Sequence, residues 1–147
     1  MKVKTEKLKL TTKKQFEVVD ITAKVEAVLA SSGIANGVLT VFTPHTTASV
    51  KLNHNEPLLL QDIMKRLYHL VPVDISYSHD IFEIRSGAEA GERSNGHAHV
   101  KSFFLGASES IPVEGKKMVL GSKQSIFFVE LDGGRTDRQF VVSVVGE

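Results

Sequence analysis

Hydrophobic and polar positions in the first third of the chain predict two strands and a helix. Apolar and polar residues alternate over residues 3–10, which is typical of a long strand, and a short second strand is expected at residues 16–19. After Asp20, which is a suitable N-cap, the segment ITAKVEAVLASSG carries apolar residues at helical spacing. This spacing predicts a helix that ends at Gly33, because glycine adopts the left-handed conformation of helix ends without strain.

The middle of the chain predicts two further strands and a second helix. The β-branched residues 37–42 indicate a buried strand, which Pro44 ends because proline cannot continue a central ladder. A strand resumes over residues 48–52. A helix is expected to begin at Asn55-Glu56-Pro57, with Asn55 as its cap, and to end at Val71-Pro72.

The last part of the chain predicts a loop followed by short apolar runs. Residues 85–96 contain three glycines and no periodic apolar positions, which indicates a loop of a length often linked to function. Because helices are predicted early in the chain and a run of strands late, we expect a compact α+β fold with a largely antiparallel sheet and two or three flanking helices. We expect residues 1–147 to form a single domain. The apolar runs are residues 102–105, 110–113, 118–120, 126–131 and 140–145.

Composition narrows the chemistry that this chain can perform. It has 147 residues, no cysteine and six histidines. This length excludes a (β/α)₈ barrel, which needs roughly 250 residues. The absence of cysteine excludes disulfides, thiolate catalysis, iron–sulfur clusters and cysteine-containing zinc sites. Any metal would therefore be held by histidine, aspartate, glutamate or backbone oxygen.

Charge and hydropathy restrict the expected partners and compartment. The chain has 18 Lys and Arg against 17 Asp and Glu, a net charge of +1, which gives no electrostatic reason to expect nucleic-acid binding. No apolar run approaches the roughly 20 residues of a membrane span. No apolar segment of the kind found in signal peptides follows the first charged residues. We therefore expect a cytoplasmic protein that binds neither nucleic acid nor membrane.

Four of the histidines stand where imidazole chemistry is one interpretation. His45 lies in TPHTT between two predicted strands, and His79 precedes Asp80, whose carboxylate could orient an imidazole. For each, a structural, hydrogen-bonded role is the simpler alternative. His97 and His99 share a face only if they lie on a strand, because on a helix they diverge by about 200°. Three neutral imidazoles suit zinc, so the sharpest metal hypothesis joins the first two histidines to one of this pair.

A second candidate for binding lies near the carboxyl terminus, in the segment DGGRTDR at residues 132–138. Glycines allow close approach of a backbone to an anion, and arginine offers a planar set of donors for phosphate. A hairpin turn with a charged tip is the equally simple alternative. No phosphate-binding P-loop, dinucleotide-binding G-x-G-x-x-G or H-E-x-x-H motif is present.

Several separate motifs occur in order along nearly the whole chain, and together they resemble the YjbQ-like family, also called secondary thiamine-phosphate synthase proteins. The resemblance implies an antiparallel β-sandwich flanked by helices. It also implies a homotrimer with sites near subunit contacts. The motifs are FTPHTTASVKLNHNEP (42–57), YSHD (77–80), AHVKSFFLGAS (98–108), IPVEGK (111–116), LGSKQSIFFVELDGGR (120–135) and the final VVGE.

The resemblance assigns roles residue by residue. The family's histidines in PHTTA, Y-x-H-D and A-H-[LIV]-K fall on His45, His79 and His99, whereas His97 has no counterpart. The family's acidic helix position falls on Asp62. These matches imply catalytic roles for His45, His79, His99 and Asp62. Our hypothesis for the three histidines is that they hold a divalent metal ion, zinc or magnesium, or that they bind the anion directly.

The implied substrate contacts come from other motifs, and two of these motifs depart from the family pattern. The family's G-T-W-Q reads Gly121-Ser122-Lys123-Gln124 here, and its N-E-N reads Asn53-His54-Asn55. These departures put the substrate contacts in question while leaving the fold unchanged. The residues implied to bind substrate are Thr46, Thr47, Asn53, Gln124, Gly133, Gly134 and Arg135.

The resemblance also implies an activity. The expected reaction is that of a thiamine-phosphate synthase-like transferase, which joins a pyrimidine methyl diphosphate to a thiazole phosphate and releases pyrophosphate. Such a reaction needs positive charge against the leaving diphosphate, so a small phosphorylated metabolite is the expected partner. Two alternatives remain open at this point. One is a non-catalytic protein that binds a phosphometabolite or metal, and the other is a histidine-metal-dependent hydrolase.

Overall fold

Eight strands and three α-helices make up the described residues, 1–89 and 91–147, of the computed structural model. A single 3₁₀ turn, Ser78–Asp80, lies between the second and third helices. The elements are β1 (Lys2–Leu10), β2 (Glu17–Asp20), α1 (Thr22–Ser32), β3 (Gly37–Phe42), β4 (Ala48–Asn53), α2 (Pro57–Leu70), α3 (Gly96–Leu105), β5 (Ser108–Glu114), β6 (Lys117–Met118), β7 (Ser125–Glu130) and β8 (Arg138–Gly146).

The strands form two antiparallel sheets. The larger sheet has the order β1-β8-β3-β5-β6, and the smaller has the order β2-β7-β4. In the larger sheet Leu39 of β3 lies opposite Val144 of β8, and in the smaller sheet Val50 of β4 lies opposite Phe128 of β7. The predicted α+β architecture with a largely antiparallel sheet is confirmed.

One hydrophobic core joins the two sheets. Alternate side chains of β8, beginning with Phe140, point inward and are buried, as the period of two in a strand requires. They pack in one cluster with Leu39 of the larger sheet, Phe128 of the smaller sheet and Val25 of α1. This cluster fixes the ends of β3, β4, β7 and β8, from which the polar side chains described below extend.

A second apolar layer covers the opposite face of the smaller sheet. Phe127 and Val129 of β7 pack against Ala98 of α3, with Leu60 of α2 at the margin. Helix α2 has no fully buried residue, whereas α3 buries one complete face. The third helix is therefore firmly seated on the sheet, and α2 lies over it as a partly exposed cover.

The structure differs from the sequence prediction in the region before β5. Residues 102–105, expected as one of the late apolar runs, are the end of helix α3, and the predicted loop gives way to this helix at Gly96. Ala90, within that loop, lies outside the described residues. The cap of α2 is Glu56, whose carboxylate accepts a hydrogen bond from the Leu59 amide, rather than Asn55. Helix α1, in contrast, ends at Gly33 in the left-handed conformation, as predicted.

Each helix within the described part of the chain is too short or too polar to cross a membrane. The cytoplasmic location stays a prediction of the sequence.

Candidate functional site: a polar cleft between His45 and His99

A polar cleft of about 450 Å³ opens where the β3–β4 connection, the segment before β8 and the start of α3 meet. Five of the residues expected to act on substrate line it together: His45, Thr46, Thr47, His99 and Arg135. The remaining lining residues include Asn95, Asp137, Arg138, Glu89 and Glu92.

His45 has a defined hydrogen-bonding state. Its Nε2 accepts a hydrogen bond of 2.9 Å from the backbone amide of Gln139, at the start of β8. In the neutral ring the proton therefore resides on Nδ1, which is the donor available for a ligand. Burial, together with the charge of Arg138, lowers the pKa of His45 below its ordinary value. The neutral ring is thus the stable form at neutral pH.

His99 lies on α3 with its ring against that of His79. The two ring centroids are 4.6 Å apart in an edge-to-face arrangement. Burial, followed by the charge of His79, lowers the pKa of His99. The guanidinium of Arg85 lies 2.7 Å from His79 Nε2 through Nη1, and the carboxylate of Glu92 contacts the same guanidinium. His79 is therefore held between the helix and the loop that precedes it.

A buried ion pair supports the floor of the cleft. Arg138 donates to both carboxylate oxygens of Glu130, and its Nη2 also donates to Thr47 Oγ1 at 2.8 Å. Thr12 donates a further hydrogen bond of 2.8 Å to Glu130 Oε2. Burial by itself raises the pKa of Glu130, but these hydrogen bonds and the charge of Arg138 outweigh it and hold the pKa below its ordinary value. The pair is ionised and structural, and it fixes Thr47 in the cleft wall.

Asp132 organises the arginines on the opposite wall. It accepts a hydrogen bond of 2.6 Å from Arg135 Nη2 and one of 2.9 Å from Asn95 Nδ2, and Arg93 approaches it at 3.6 Å. Burial raises the pKa of Asp132, but the hydrogen bonds from Asn95 and Arg135 and the charges of the two arginines lower it overall. Arg135 is thereby oriented through Nε and Nη2, and Nη1 is left as the donor for a ligand.

Asn95 carries an unusual unpaired atom. The residue is 7% exposed, and within the described part of the chain its Oδ1 has no hydrogen-bond partner. Buried polar atoms are nearly always hydrogen-bonded, and this atom is an exception within that part of the chain. Asn95 was not predicted as a site residue, and the only sequence signal for it is its position two residues before His97 of the H-x-H pair.

Helix α3 separates the two histidines of the H-x-H pair. His97 is buried and contacts Lys101 and Gln15, whereas His99 contacts His79 at the polar cleft. The choice that the sequence left open is thus settled by the helix, which directs positions two apart to different sides. His99 lines the same cleft as His45, whereas His97 lines a different cleft.

Six residues predicted as catalytic or substrate-binding do not line the polar cleft, namely His79, Gly133, Gly134, Asp62, Asn53 and Gln124. Asp62 is exposed on α2. Asn53, at the end of β4, uses its side-chain oxygen to accept from the His54 amide at 2.8 Å. Gln124 lines a different cleft beside α1 and accepts from the Gly121 amide at 2.8 Å. The spacing of the motifs along the chain did not predict which of these residues would lie outside the cleft.

Gly133 and Gly134 have a packing role that explains their residue type. A Cβ at Gly133 would lie 2.0 Å from the carbonyl oxygen of Lys14, and one at Gly134 would lie 2.6 Å from the carbonyl oxygen of Thr12. The Gly133 amide also donates to the Gln15 carbonyl at 3.1 Å. These close contacts seat the loop that carries Arg135, so the glycines position the cleft wall.

The three-histidine metal site does not assemble in the described residues. His45 Nε2 is engaged by the Gln139 amide, and no group of three or more His, Asp or Glu among residues 1–89 and 91–147 is arranged to hold a metal ion. The arrangement therefore does not fit a site with three imidazole ligands. Binding of a divalent metal, zinc or magnesium, stays a prediction.

A two-sheet α+β protein with a histidine- and arginine-lined cleft is the class that the fold and site define. The chain belongs to the family described as UPF0047 protein YjbQ-like, whose model matches residues 6–147. It is 44% identical over 147 residues to a UPF0047 protein of Methanothermobacter thermautotrophicus, covering 100% of this chain and 95% of the relative. It is 36% identical over 130 residues to the UPF0047 protein YugU of Bacillus subtilis, covering 88% and 90%.

Solved structures show the same fold. A YbjQ-like protein of unknown function from Sulfolobus solfataricus superposes with a TM-score of 0.90 at 37% identity, with 99% of each chain covered. A hypothetical protein from Aeropyrum pernix superposes with a TM-score of 0.86 at 36% identity, covering 97% of this chain and 98% of that one.

These comparisons correct the expected activity. The relatives are described only as UPF0047 proteins, and the Sulfolobus structure is described as one of unknown function. Nothing in them indicates thiamine-phosphate synthase activity, so the identification as a thiamine-phosphate synthase-like transferase is wrong. The resemblance identified the family correctly and assigned it a function that the descriptions of the relatives do not support.

Proposed function

We propose that the polar cleft binds a small phosphorylated metabolite. The observation that carries the proposal is the convergence of two fixed donors, Nδ1–H of His45 and the guanidinium of Arg135, on one cleft. Arginine and neutral imidazole donors suit phosphate oxygens, and the hydroxyl of Thr46 lines the same cleft as a neutral donor. Because Asp132 orients the guanidinium before a ligand arrives, less conformational entropy is lost on binding.

The other wall of the cleft suits the body of such a metabolite. The side chain of Asn95 and the carboxylates of Glu89 and Asp137 line the cleft and offer acceptor oxygens. Acceptors of this kind bind hydroxyl or amino hydrogens. The combination favours a phosphorylated compound that also carries hydroxyl groups over a bare phosphate ion.

We further propose that the protein turns this ligand over. His45 and His99 both have lowered pKa values, and an imidazole that is neutral at pH 7 can accept a proton. His99 is the candidate base, because its ring packs edge-to-face on His79 and both nitrogens of His79 lie next to Arg85. The test is ³¹P NMR of the purified protein with phosphorylated sugars, comparing the wild-type protein with His99→Gln. Equal spectra with and without protein over hours would contradict turnover and leave binding unaffected.

The binding proposal is tested by calorimetric titration with three probes: ribose 5-phosphate, ribose and inorganic phosphate. We expect ribose 5-phosphate to bind more tightly than either fragment. Arg135→Gln should weaken it by about tenfold or more, since a charged hydrogen bond contributes about 1.5–3 kcal/mol. Lys123→Gln, at an exposed position outside the cleft, is the matched control and should leave the affinity unchanged. Unchanged affinity in Arg135→Gln would overturn the proposal.

The divalent metal can be tested with the same protein. If zinc binds at the polar cleft, His99→Gln should reduce the bound zinc measured by elemental analysis, and His97→Gln should not. Equal loss in both variants would place the metal elsewhere.

A homotrimer remains part of the proposal, supported by apolar surface on α3. Phe103 and Phe104 are 85% and 75% exposed, with ring centroids 6.0 Å apart. Adjacent exposed aromatic residues of this kind are typical of surfaces that contact another chain. Light scattering should give three times the 16.1 kDa mass of the chain, and Phe103→Ser/Phe104→Ser should lower it. A monomer mass for the wild-type protein would contradict the trimer.

A further inference from the structure

A second cleft lies on the side of α3 that the polar cleft does not use. It has a volume of about 310 Å³, and most of its wall is apolar. Phe16, Leu67 and Leu131 form part of this wall, and Leu67 belongs to α2, the partly exposed helix that covers the smaller sheet. Two polar residues of α3, His97 and Lys101, lie at the inner end.

Lys101 is an unusual lysine for its position. The residue is 6% exposed, and no carboxylate of the described residues forms an ion pair with it. Its Nζ lies 3.0 Å from His97 Nδ1, one turn earlier on the same helix. A buried ammonium with no carboxylate at ion-pair distance among the described residues is unfavourable, so Lys101 releases its proton more readily than an exposed lysine does. Consistent with this, burial lowers the pKa of Lys101.

The surroundings of this amine favour nucleophilic chemistry. Neutral lysines in desolvated clefts are nucleophiles that condense with carbonyl groups. His97 is itself buried, and its Nδ1 faces the Lys101 Nζ at 3.0 Å, so it can exchange protons with the amine. Gln15 lies 3.4 Å from the other ring nitrogen, and Tyr68 and Asp74, whose side chains are hydrogen-bonded to each other, also line the cleft.

We propose that Lys101 is a nucleophilic amine site that condenses with the carbonyl group of a small apolar aldehyde or ketone bound in this cleft. The Nζ lone pair forms a bond to the carbonyl carbon, and His97 takes up the proton released from nitrogen. The carbinolamine then loses its oxygen as water with a returned proton, which leaves a C=N bond. One amine and one carbonyl give one imine and one water, and no oxidant or reductant is consumed.

The test is reductive trapping of the folded protein at pH 7 with benzaldehyde and cyanoborohydride, followed by peptide mass spectrometry. We expect Lys101 to be labelled at least tenfold faster than Lys51. Lys51 is the internal control because it forms an ion pair with Glu109 at 2.9 Å and lines a different part of the surface. Labelling of Lys101 no faster than that of Lys51 would overturn the proposal.

Two variants separate nucleophilic chemistry at this site from simple exposure. Met64→Trp should fill the cleft mouth and slow labelling of Lys101 while leaving that of Lys51 unchanged, because Met64 lines the cleft and is 42% exposed. His97→Gln should slow labelling and shift its pH dependence. If Met64→Trp leaves the rate at Lys101 unchanged, the cleft is not the site of reaction. Neither variant alters the polar cleft, so these outcomes are independent of phosphometabolite binding.

Discussion

The guanidinium of Arg138 and the carboxylate of Glu130 form a two-point ion pair inside the protein, with Nε–Oε2 and Nη2–Oε1 distances of 2.7 and 2.5 Å. Both residues are almost completely buried, at 4% and 0% exposure. The pair holds Thr47 in the wall of the polar cleft through a third hydrogen bond. Stability and site geometry therefore depend on the same interaction.

Removing one partner of this pair should be costly. Arg138→Met leaves a buried carboxylate without its counter-charge, and we expect the free energy of unfolding to fall by about 3–5 kcal/mol. The matched control is Lys51→Met, which breaks a partly exposed pair with Glu109 and should cost no more than about 1 kcal/mol. Urea denaturation measures both. Similar losses in the two variants would contradict the assigned role of the buried pair.

The buried carboxylates predict sensitivity to acid. Hydrogen bonds and neighbouring cations hold the pKa values of Glu130 and Asp132 below 4.5 and 3.8, their ordinary values. The unfolded chain then takes up protons before the folded one, so the stabilisation is complete above those ordinary values. It is lost as the pH falls through the lower folded values. Unfolding free energies measured from pH 6 to pH 2 should show this decline, and Glu130→Gln should make it shallower. An identical pH dependence in the variant would contradict the prediction.

The two imidazoles of the polar cleft should titrate at low pH. Burial and nearby positive charge lower the pKa values of His45 and His99 below 6.5, so both rings stay neutral at pH 7. Because the unfolded chain protonates at the ordinary value, stability from these groups is lost as the pH falls below 6.5. NMR titration of the ring protons measures both values. His79→Gln should raise the pKa of His99 and leave that of His45 unchanged. Midpoints at or above 6.5 would refute the assignment.

The loop that carries Arg135 should not tolerate a side chain at Gly133. Gly133→Ala would place a Cβ 2.0 Å from the Lys14 carbonyl oxygen, and overpacking of this kind costs about 1–3 kcal/mol. Gly121→Ala is the control, because its nearest neighbour would be the flexible Gln124 side chain at 3.4 Å. Thermal unfolding and ribose 5-phosphate titration should show loss of stability and affinity only in the first variant. Equal behaviour of both variants would contradict the packing role.

Local patterns in the sequence predicted most of the secondary structure. Strand β3 was expected at residues 37–42 and is observed there, because a short β-branched run ended by proline is sufficient to define a buried strand. Helix α1 was likewise predicted, from the spacing of its apolar residues and from the glycine at its end. These features are determined by residues within a few positions of each other.

Helix α3 is an element that the local sequence did not predict. The sequence left the H-x-H pair compatible with a strand or a helix, since His97 and His99 stand in a short apolar context after a loop. Packing decided in favour of a helix, because Ala98 and Ser102 share a face buried against the smaller sheet. That face cannot be read from the segment alone, since its partner strands lie elsewhere in the chain.

The sequence by itself determined the α+β class and the family, and it supplied the list of candidate site residues. Only the tertiary structure decided which of those residues meet. His45, His99 and Arg135 come from three separate segments and converge on one cleft, whereas Asp62 and Gln124 do not reach it. The physical reason is that sheet register and burial place distant segments side by side, and these depend on contacts across the whole chain. Within residues 1–89 and 91–147, the same packing left Lys101 buried with no carboxylate at ion-pair distance, a feature that no local pattern indicated.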